Sequence, residues 1–352
     1  KLDVEDEIAA DRSRSIGSSE KRLPSILSLI TKDQFELITS DPERPVIIQG
    51  SAGSGKTTVA LHRLAWLLHE ENSFAQAKNT QVLVMNRSLQ IYVSATLPSM
   101  GIEGVETATF NSWAMSIIRK VVRGRPFFKF HNVPTFVEEI KFSEEILNAL
   151  GGWVEKQKHA LDIEVVEIFK KWPGQIKSWK KAENKAILPR LKDFAHDIKE
   201  SNLPKFDKDK CLEFLKRKIF DLEDYVQDIY KLLADIVHLK NYLSPDTKLD
   251  SHLDYLKRLT EKNQAKNNLD YFDMSLILRL IQLKNGGLPD GSGGVVLLDH
   301  LVIDEAQDFG PVEFAIMMSS VSDKRQVTIV GDVAQKILSA RKFIGWNKVV
   351  SN

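Results

Sequence analysis

Gly50-Ser51-Ala52-Gly53-Ser54-Gly55-Lys56-Thr57 stands between an apolar run, Pro45 to Gln49, and a segment in which Ala60, Leu64, Leu67 and Leu68 recur at helical spacing. The octet fits G-x-x-x-x-G-K-[ST], a pattern that carries meaning when it follows a strand and opens a helix, as it does here. Its residue types follow from the chemistry of holding phosphates. Glycines let the backbone curl with its N–H groups inward, and a helix starting near Lys56 adds the positive end of its dipole. Lys56 is expected on the β/γ-phosphates and Thr57 on magnesium through its hydroxyl. ATP and Mg2+ are therefore the expected ligands, with Gly50, Ser51, Ala52, Gly53, Ser54, Gly55, Lys56, Thr57 and Thr58 as the nucleotide-binding set.

Outward from this loop, further short apolar runs occur at Val82 to Met85, Val105 to Thr109, Leu301 to Asp304 and Val327 to Val330. Each reads as a buried strand of a parallel sheet, and helical spacing at Ser88 to Leu97 and Asn111 to Val121 supplies the crossovers. The pattern predicts a doubly wound α/β domain. It stops near Gly124. From about residue 134 to about 285 the text is helical, as in Leu212 to Leu233 and Met274 to Leu283, with breaks expected at Gly151-Gly152, Pro173-Gly174, Pro204 and Pro245. Strand pattern resumes after the glycine-rich loop from Gly286 to Gly294. The expected organisation is a sheet domain from 1–122 and 293–352, interrupted by a helical insertion over 123–292.

Asp304-Glu305-Ala306-Gln307-Asp308 closes the run Leu301-Val302-Ile303, so its carboxylates belong at the carboxyl end of a buried strand, where open parallel sheets bind ligands. Asp304 is expected to hold magnesium, and Glu305 to orient and deprotonate the attacking water. Gly331-Asp332-Val333-Ala334-Gln335 ends the next strand, and Gln335 is expected on the γ-phosphate or that water. Lys56, Glu305 and Gln335 form the expected catalytic set, and Thr57 and Asp304 the metal ligands.

QGSAGSGKT, then DEAQD, then GDVAQ resemble the UvrD/Rep class of superfamily 1 helicases, and the likeness spans the sheet domain on both sides of the insertion. It implies a RecA-like P-loop NTPase domain (1A) carrying a 1B-like insertion, hydrolysis of Mg-ATP, and single-stranded or duplex DNA as partner. Ile30-Thr31-Lys32-Asp33-Gln34, about sixteen residues before the loop, looks like the glutamine motif of that class. By that resemblance Gln34 reads adenine, since a side-chain amide pairs with N6 and N7 in bidentate fashion; taken alone it is an exposed glutamine. Thr107 to Trp113 resembles the segment with which these motors touch a single strand. Thr109, Phe110 and Asn111 are the candidates there, with Phe110 and Trp113 offered for stacking on bases, although an aromatic residue at the start of an amphipathic helix is more often core.

Within the class, Leu97-Pro98-Ser99-Met100-Gly101, Gly104-Val105-Glu106, Val59-Ala60-Leu61-His62-Arg63 and Asp308-Phe309-Gly310-Pro311 resemble HelD-type motors that bind bacterial RNA polymerase. Two departures stand against the class pattern. Lys336-Ile337-Leu338 replaces the tyrosine and the Trp-Arg-Gly stretch that usually follow GD-x-x-Q. The chain also ends at Asn352, about twenty residues past Gln335, and begins at Lys1 rather than methionine. The expectation is a piece of a longer protein, without the second motor domain and its arginine finger. Such a finger is worth roughly 10³ to 10⁵ in turnover, so the isolated chain is expected to bind ATP yet hydrolyse it very slowly.

Lys and Arg number 49 against 48 Asp and Glu, so affinity for a polyanion must come from a local patch. Between Lys170 and Lys218 fifteen basic residues face seven acidic ones, with Trp172 and Trp179 interleaved. That stretch reads equally as a phosphate-contacting face, a polymerase-contacting face or a solvated surface. A single cysteine, Cys211, excludes an internal disulfide, and no apolar run is long enough to cross a bilayer. A cytoplasmic, monomeric protein without a membrane partner is expected. Three functions compete: a DNA translocase or repair helicase, a polymerase-binding factor that displaces protein without true unwinding, and a nucleotide sensor. The last is disfavoured by the presence of Lys56, Thr57, Asp304 and Glu305 together.

Overall fold

The structure, a computed structural model, describes residues 30–51, 53–124, 126, 128–129, 133–323 and 326–332. Ala52 and Gln335 lie outside the described residues. The main sheet holds β1 (Val46–Gln49), β2 (Thr80–Val84), β3 (Glu106–Thr109), β6 (His300–Ile303) and β7 (Val327–Gly331), while β4 (Phe128–Lys129) and β5 (Leu269–Asp270) pair separately. The order in the main sheet is β1-β7-β6-β2-β3, with every pairing parallel. All five strands match runs read from the sequence.

The pleat divides the side chains between two faces. Val82, Val84, Val302 and Val330 pack with helices α1 (Lys32–Ile38), α2 (Lys56–Leu67) and α3 (Arg87–Ser99). Leu83, Leu301, Ile303 and Ile329 face the other way, toward α4 (Phe110–Val121). Helices cover both faces, as a doubly wound sheet requires. The helix starts are fixed locally: Thr31, Asn86 and Thr109 each accept a backbone N–H from three residues on.

The segment between α4 and β6, expected as an insertion, contains α5 (Thr135–Phe142), α6 (Glu144–Ile168), α7 (Pro173–Lys181), α8 (Ile187–Glu200), α9 (Lys205–Leu222), α10 (Tyr225–Ala234), α11 (Ile236–Lys240), α12 (Leu249–Ala265) and α13 (Asp273–Asn285). The helix α14 (Pro311–Met318) follows β6. Leu276, Ile277, Leu278, Leu280 and Ile281 are all fully buried, and the polar Gln282 and Lys284 are buried as well, so α13 is enclosed on nearly every side. It packs against α4, α6, α10 and α14 and joins the insertion to the sheet in one continuous core. Lys141 on α5 reaches between Asp273 and Asp270, at 2.7 and 3.6 Å, and all three are buried.

Two expectations about breaks are corrected. Gly151-Gly152 lies inside the uninterrupted α6. A Cβ on Gly152 would sit 1.7 Å from the Tyr242 hydroxyl, so the glycine serves close packing and does not end the helix. The continuous helix expected over Leu212 to Leu233 is interrupted before Tyr225, because Asp224 accepts the Gln227 N–H at 3.1 Å and caps a new helix. The pairing of β4 with β5 had no sequence signal, since Phe128-Lys129 and Leu269-Asp270 carry one apolar residue each.

Candidate nucleotide-binding site

The carboxyl ends of β1, β7 and β6 lie side by side, so three sequence motifs meet at one edge. Gly50 follows β1, Asp304 follows β6, and Asp332 follows β7, which runs between them. A Cβ on Gly50 would come 2.6 Å from Ser54 Oγ, and Gly55 takes φ +80°, a left-handed conformation that glycine tolerates best. The loop therefore folds tightly back over its own backbone. Gly55 caps α2 without a side-chain acceptor, which leaves N–H groups of the first turn, including those of Thr57 and Thr58, available to an anion. Lys56 Nζ donates to the Ser51 carbonyl at 2.9 Å and is held over the loop.

Thr57 Oγ1 donates to Asp304 Oδ2 at 2.7 Å, and the Glu305 amide donates to Asp304 Oδ1 at 2.9 Å. Both donors are neutral, while the Asp304 side chain is buried. Burial pushes the Asp304 carboxyl up from its ordinary value, opposed by these hydrogen bonds and by the nearby Lys56 charge. A buried carboxylate beside a hydroxyl, without an ion-pair partner among the described residues, fits a divalent cation by its donor set.

Glu305 adopts φ 53°, ψ 45°, one of two non-glycine residues with positive φ among the described ones. Its carboxylate accepts from Gln307 Nε2 at 2.6 Å, and Gln307 Oε1 accepts the Asp332 N–H at 2.9 Å. The sequence reading gave Gln307 no role. Its signal was present only as the fourth residue of the acidic motif.

Gln34 sits on α1, which packs against α2. Its Oε1 accepts the Thr31 N–H at 3.1 Å, and its Nε2 lies 3.9 Å from the position a Cβ on Gly55 would take. The fold thus brings Gln34 beside the phosphate loop. Arg63, on α2, is fully buried and holds α1 in place: its Nη1 donates to the carbonyls of Leu37, Ile38 and Ser40, and its Nη2 to that of Asp41. The sequence reading placed Arg63 in a family-like stretch without seeing this clamp.

The single-strand candidates separate. Phe110 is 2% exposed, with its ring centroid 6.0 Å from those of Trp113 and Phe309. Of the two readings of Phe110 the structure supports the core one and corrects the stacking one, since a ring enclosed on the core side of α4 presents no face to a base. Thr109 caps α4 by accepting from Ser112, and the Asn111 amide donates to the Tyr271 hydroxyl. In the insertion, Trp179 is likewise core, donating to Asp162 at 2.7 Å beneath the Arg190 guanidinium. Lys185 pairs with Asp193 and Lys192 with Glu223, both at 2.8 Å, whereas Lys177, Lys180 and Lys181 are exposed on α7. Among the described residues no helix is long and apolar enough to cross a membrane.

A phosphate loop and an acidic strand end joined across one parallel sheet define a P-loop nucleotide-binding fold. The family is narrower: the UvrD/REP helicase N-terminal domain matches residues 30–342, and the chain belongs to it. A relative, the "probable DNA helicase II homolog" of Mycoplasma capricolum subsp. capricolum, is 21% identical over 337 residues. That match covers 93% of this chain and 38% of the relative, so the chain spans well under half of its length.

Proposed function

We propose that this chain carries the Mg-ATP site of a nucleic-acid motor, in which hydrolysis drives movement along DNA. The observation that supports this most directly is the Thr57–Asp304 hydrogen bond at 2.7 Å, which joins the phosphate loop to the acidic motif. Lys56 holds the β/γ-phosphates, the first turn of α2 supplies N–H donors, and Gln34 beside Gly55 meets the base. Magnesium bound by Thr57 and Asp304 would neutralise charge on the phosphate oxygens. Glu305, adjacent to Asp304, accepts the proton of the attacking water.

DNA is the partner that the family and the relative's name favour. Exposed Lys177, Lys180 and Lys181 on α7, and Lys171, Lys210, Lys216 and Arg217 around a groove of about 810 Å³ beside Trp172, offer phosphate contacts. RNA polymerase is the alternative target, through the HelD-like stretches. Two of these have structural duties that weaken them as partner signatures. Arg63 clamps α1, and Gly101, at φ +76°, closes α3 with the Ile102 N–H bonded to the Leu97 carbonyl at 3.0 Å.

The test is ATP turnover with magnesium, alone and with single-stranded DNA or with purified RNA polymerase. The proposal expects this chain to bind Mg-ATP and turn it over slowly by itself, and single-stranded DNA to raise that turnover. Stimulation only by polymerase moves the target to the protein, and turnover that survives Glu305→Gln removes the assignment of the base.

A further inference from the structure

Two polar groups that demand opposite things face each other across the end of the sheet. On one side is the Glu305 carboxylate, which only accepts; on the other is the Asp332 backbone N–H, which only donates. Gln307 fills the space between them, 2% exposed, with Nε2 at 2.6 Å from Glu305 Oε2 and Oε1 at 2.9 Å from the Asp332 nitrogen. A primary amide satisfies both neighbours at once, and the fixed Asp332 donor dictates which way the amide points. A carboxylate in the same place would keep the Asp332 bond and repel Glu305.

The backbone explains why such a clamp is useful. Glu305 occupies the left-handed region, unfavourable for a residue with a Cβ, and the turn that follows closes on itself through the Asp308 N–H to Glu305 carbonyl bond at 3.0 Å. Its amide is already committed to Asp304 Oδ1. The remaining freedom of Glu305 is in its side chain, and Gln307 restrains one oxygen of it.

We propose that Gln307 is a positioning residue: it holds the Glu305 carboxylate in its working orientation and ties it to the end of β7. This rests on reading Glu305 as the base.

The experiment measures Mg-ATP affinity by calorimetry and single-turnover hydrolysis, with the enzyme in excess, for wild type, Gln307→Ala, Gln307→Glu, Glu305→Gln and the double variant Glu305→Gln/Gln307→Ala. Amide exchange at Asp332 and melting temperature are recorded alongside. Loss of the clamp should leave ATP affinity within about threefold and lower single-turnover rate roughly 10²-fold, as for a misplaced reacting group. Gln307→Glu, which retains the Asp332 bond but sets a second carboxylate against Glu305, should be as slow as Gln307→Ala. In the Glu305→Gln background, Gln307→Ala should cause no further loss. Faster exchange at Asp332 in Gln307→Ala, against unchanged exchange in Gln307→Glu, shows the link itself.

Two results overturn the proposal while sparing the site assignment: an inactive Glu305→Gln with a Gln307→Ala that turns over at the wild-type rate, or equal proportional losses in both backgrounds. A Glu305→Gln that hydrolyses ATP normally removes the base and the clamp together.

Discussion

The Thr57 hydroxyl and the Asp304 carboxylate, 247 positions apart in sequence, are 2.7 Å apart in the fold. Everything between them, two crossovers and the whole insertion, is accommodated without disturbing that bond, because β1, β7 and β6 end at the same edge of one parallel sheet. The pair has a measurable consequence. Asp304→Asn should reduce the magnesium-dependent part of ATP binding by about tenfold or more, as expected when a charged oxygen ligand is lost. Magnesium-free binding should change little. Calorimetry with and without the cation checks this, and a uniform loss in both would place Asp304 outside the metal site.

Phe110 supplies a second prediction, from the correction to its role. Truncating a ring enclosed by Trp113 and Phe309 should cost about 3 to 5 kcal/mol of stability. Phe110→Leu, which keeps most of the apolar volume, should restore much of it and bind single-stranded DNA as wild type does. Urea unfolding and a fluorescence titration decide between core and stacking roles.

Arg63 makes the third. Burial lowers its guanidinium to about 10, still charged at neutral pH, and its charge is spent on the carbonyls ending α1. Replacing it with alanine leaves those acceptors buried without their donor, at a cost of about 2 to 4 kcal/mol. Because α1 carries Gln34, discrimination of ATP from GTP should weaken as well. Competition binding reads the second effect independently of unfolding.

His300 gives a pH dependence. It is buried on β6 against Thr328 Oγ1 at 3.0 Å, and burial, with a smaller push from the Arg63 charge, lowers it to about 3. The unfolded chain takes up this proton below its ordinary pKa of about 6.5, whereas the folded chain refuses it, so stability is intact above that pH and falls as pH drops toward 3. The slope within the window is about 1.4 kcal/mol per pH unit. Between pH 7 and pH 5 His300 should account for roughly 2 kcal/mol, seen as the difference between urea titrations of wild type and His300→Gln.

How much of this was legible beforehand depends on whether the information was local. The loop from Gly50 to Thr57 announces itself because its glycines, lysine and hydroxyl occupy fixed offsets, and the central strands β2, β6 and β7 because strands buried throughout read as short apolar runs, whereas the edge strands β1 and β3 are only partly buried. Gln307 and Arg63 did not announce themselves. Their roles exist only once β7 lies beside β6 and α1 lies on α2, and no spacing rule encodes those neighbours. Phe110, read as a strand contact by resemblance and as core by its place on an amphipathic helix, and Gly152, read as a break, share one lesson: an aromatic or glycine signal gains its meaning from what packs against it, and here that is Phe309 and Tyr242.

The central claim, that the loop between β1 and α2 binds the phosphates of ATP, is tested most directly by titrating Mg-ATP into the wild-type chain and into Lys56→Ala in a calorimeter. Lys56 is the cation the loop holds in place, and it makes its bond to the Ser51 carbonyl at the loop itself. Its removal should weaken binding at least roughly tenfold, or about 1.4 kcal/mol, while the melting temperature of the ligand-free chain stays close to wild type. Equal affinity in the two proteins would contradict the assignment of the site.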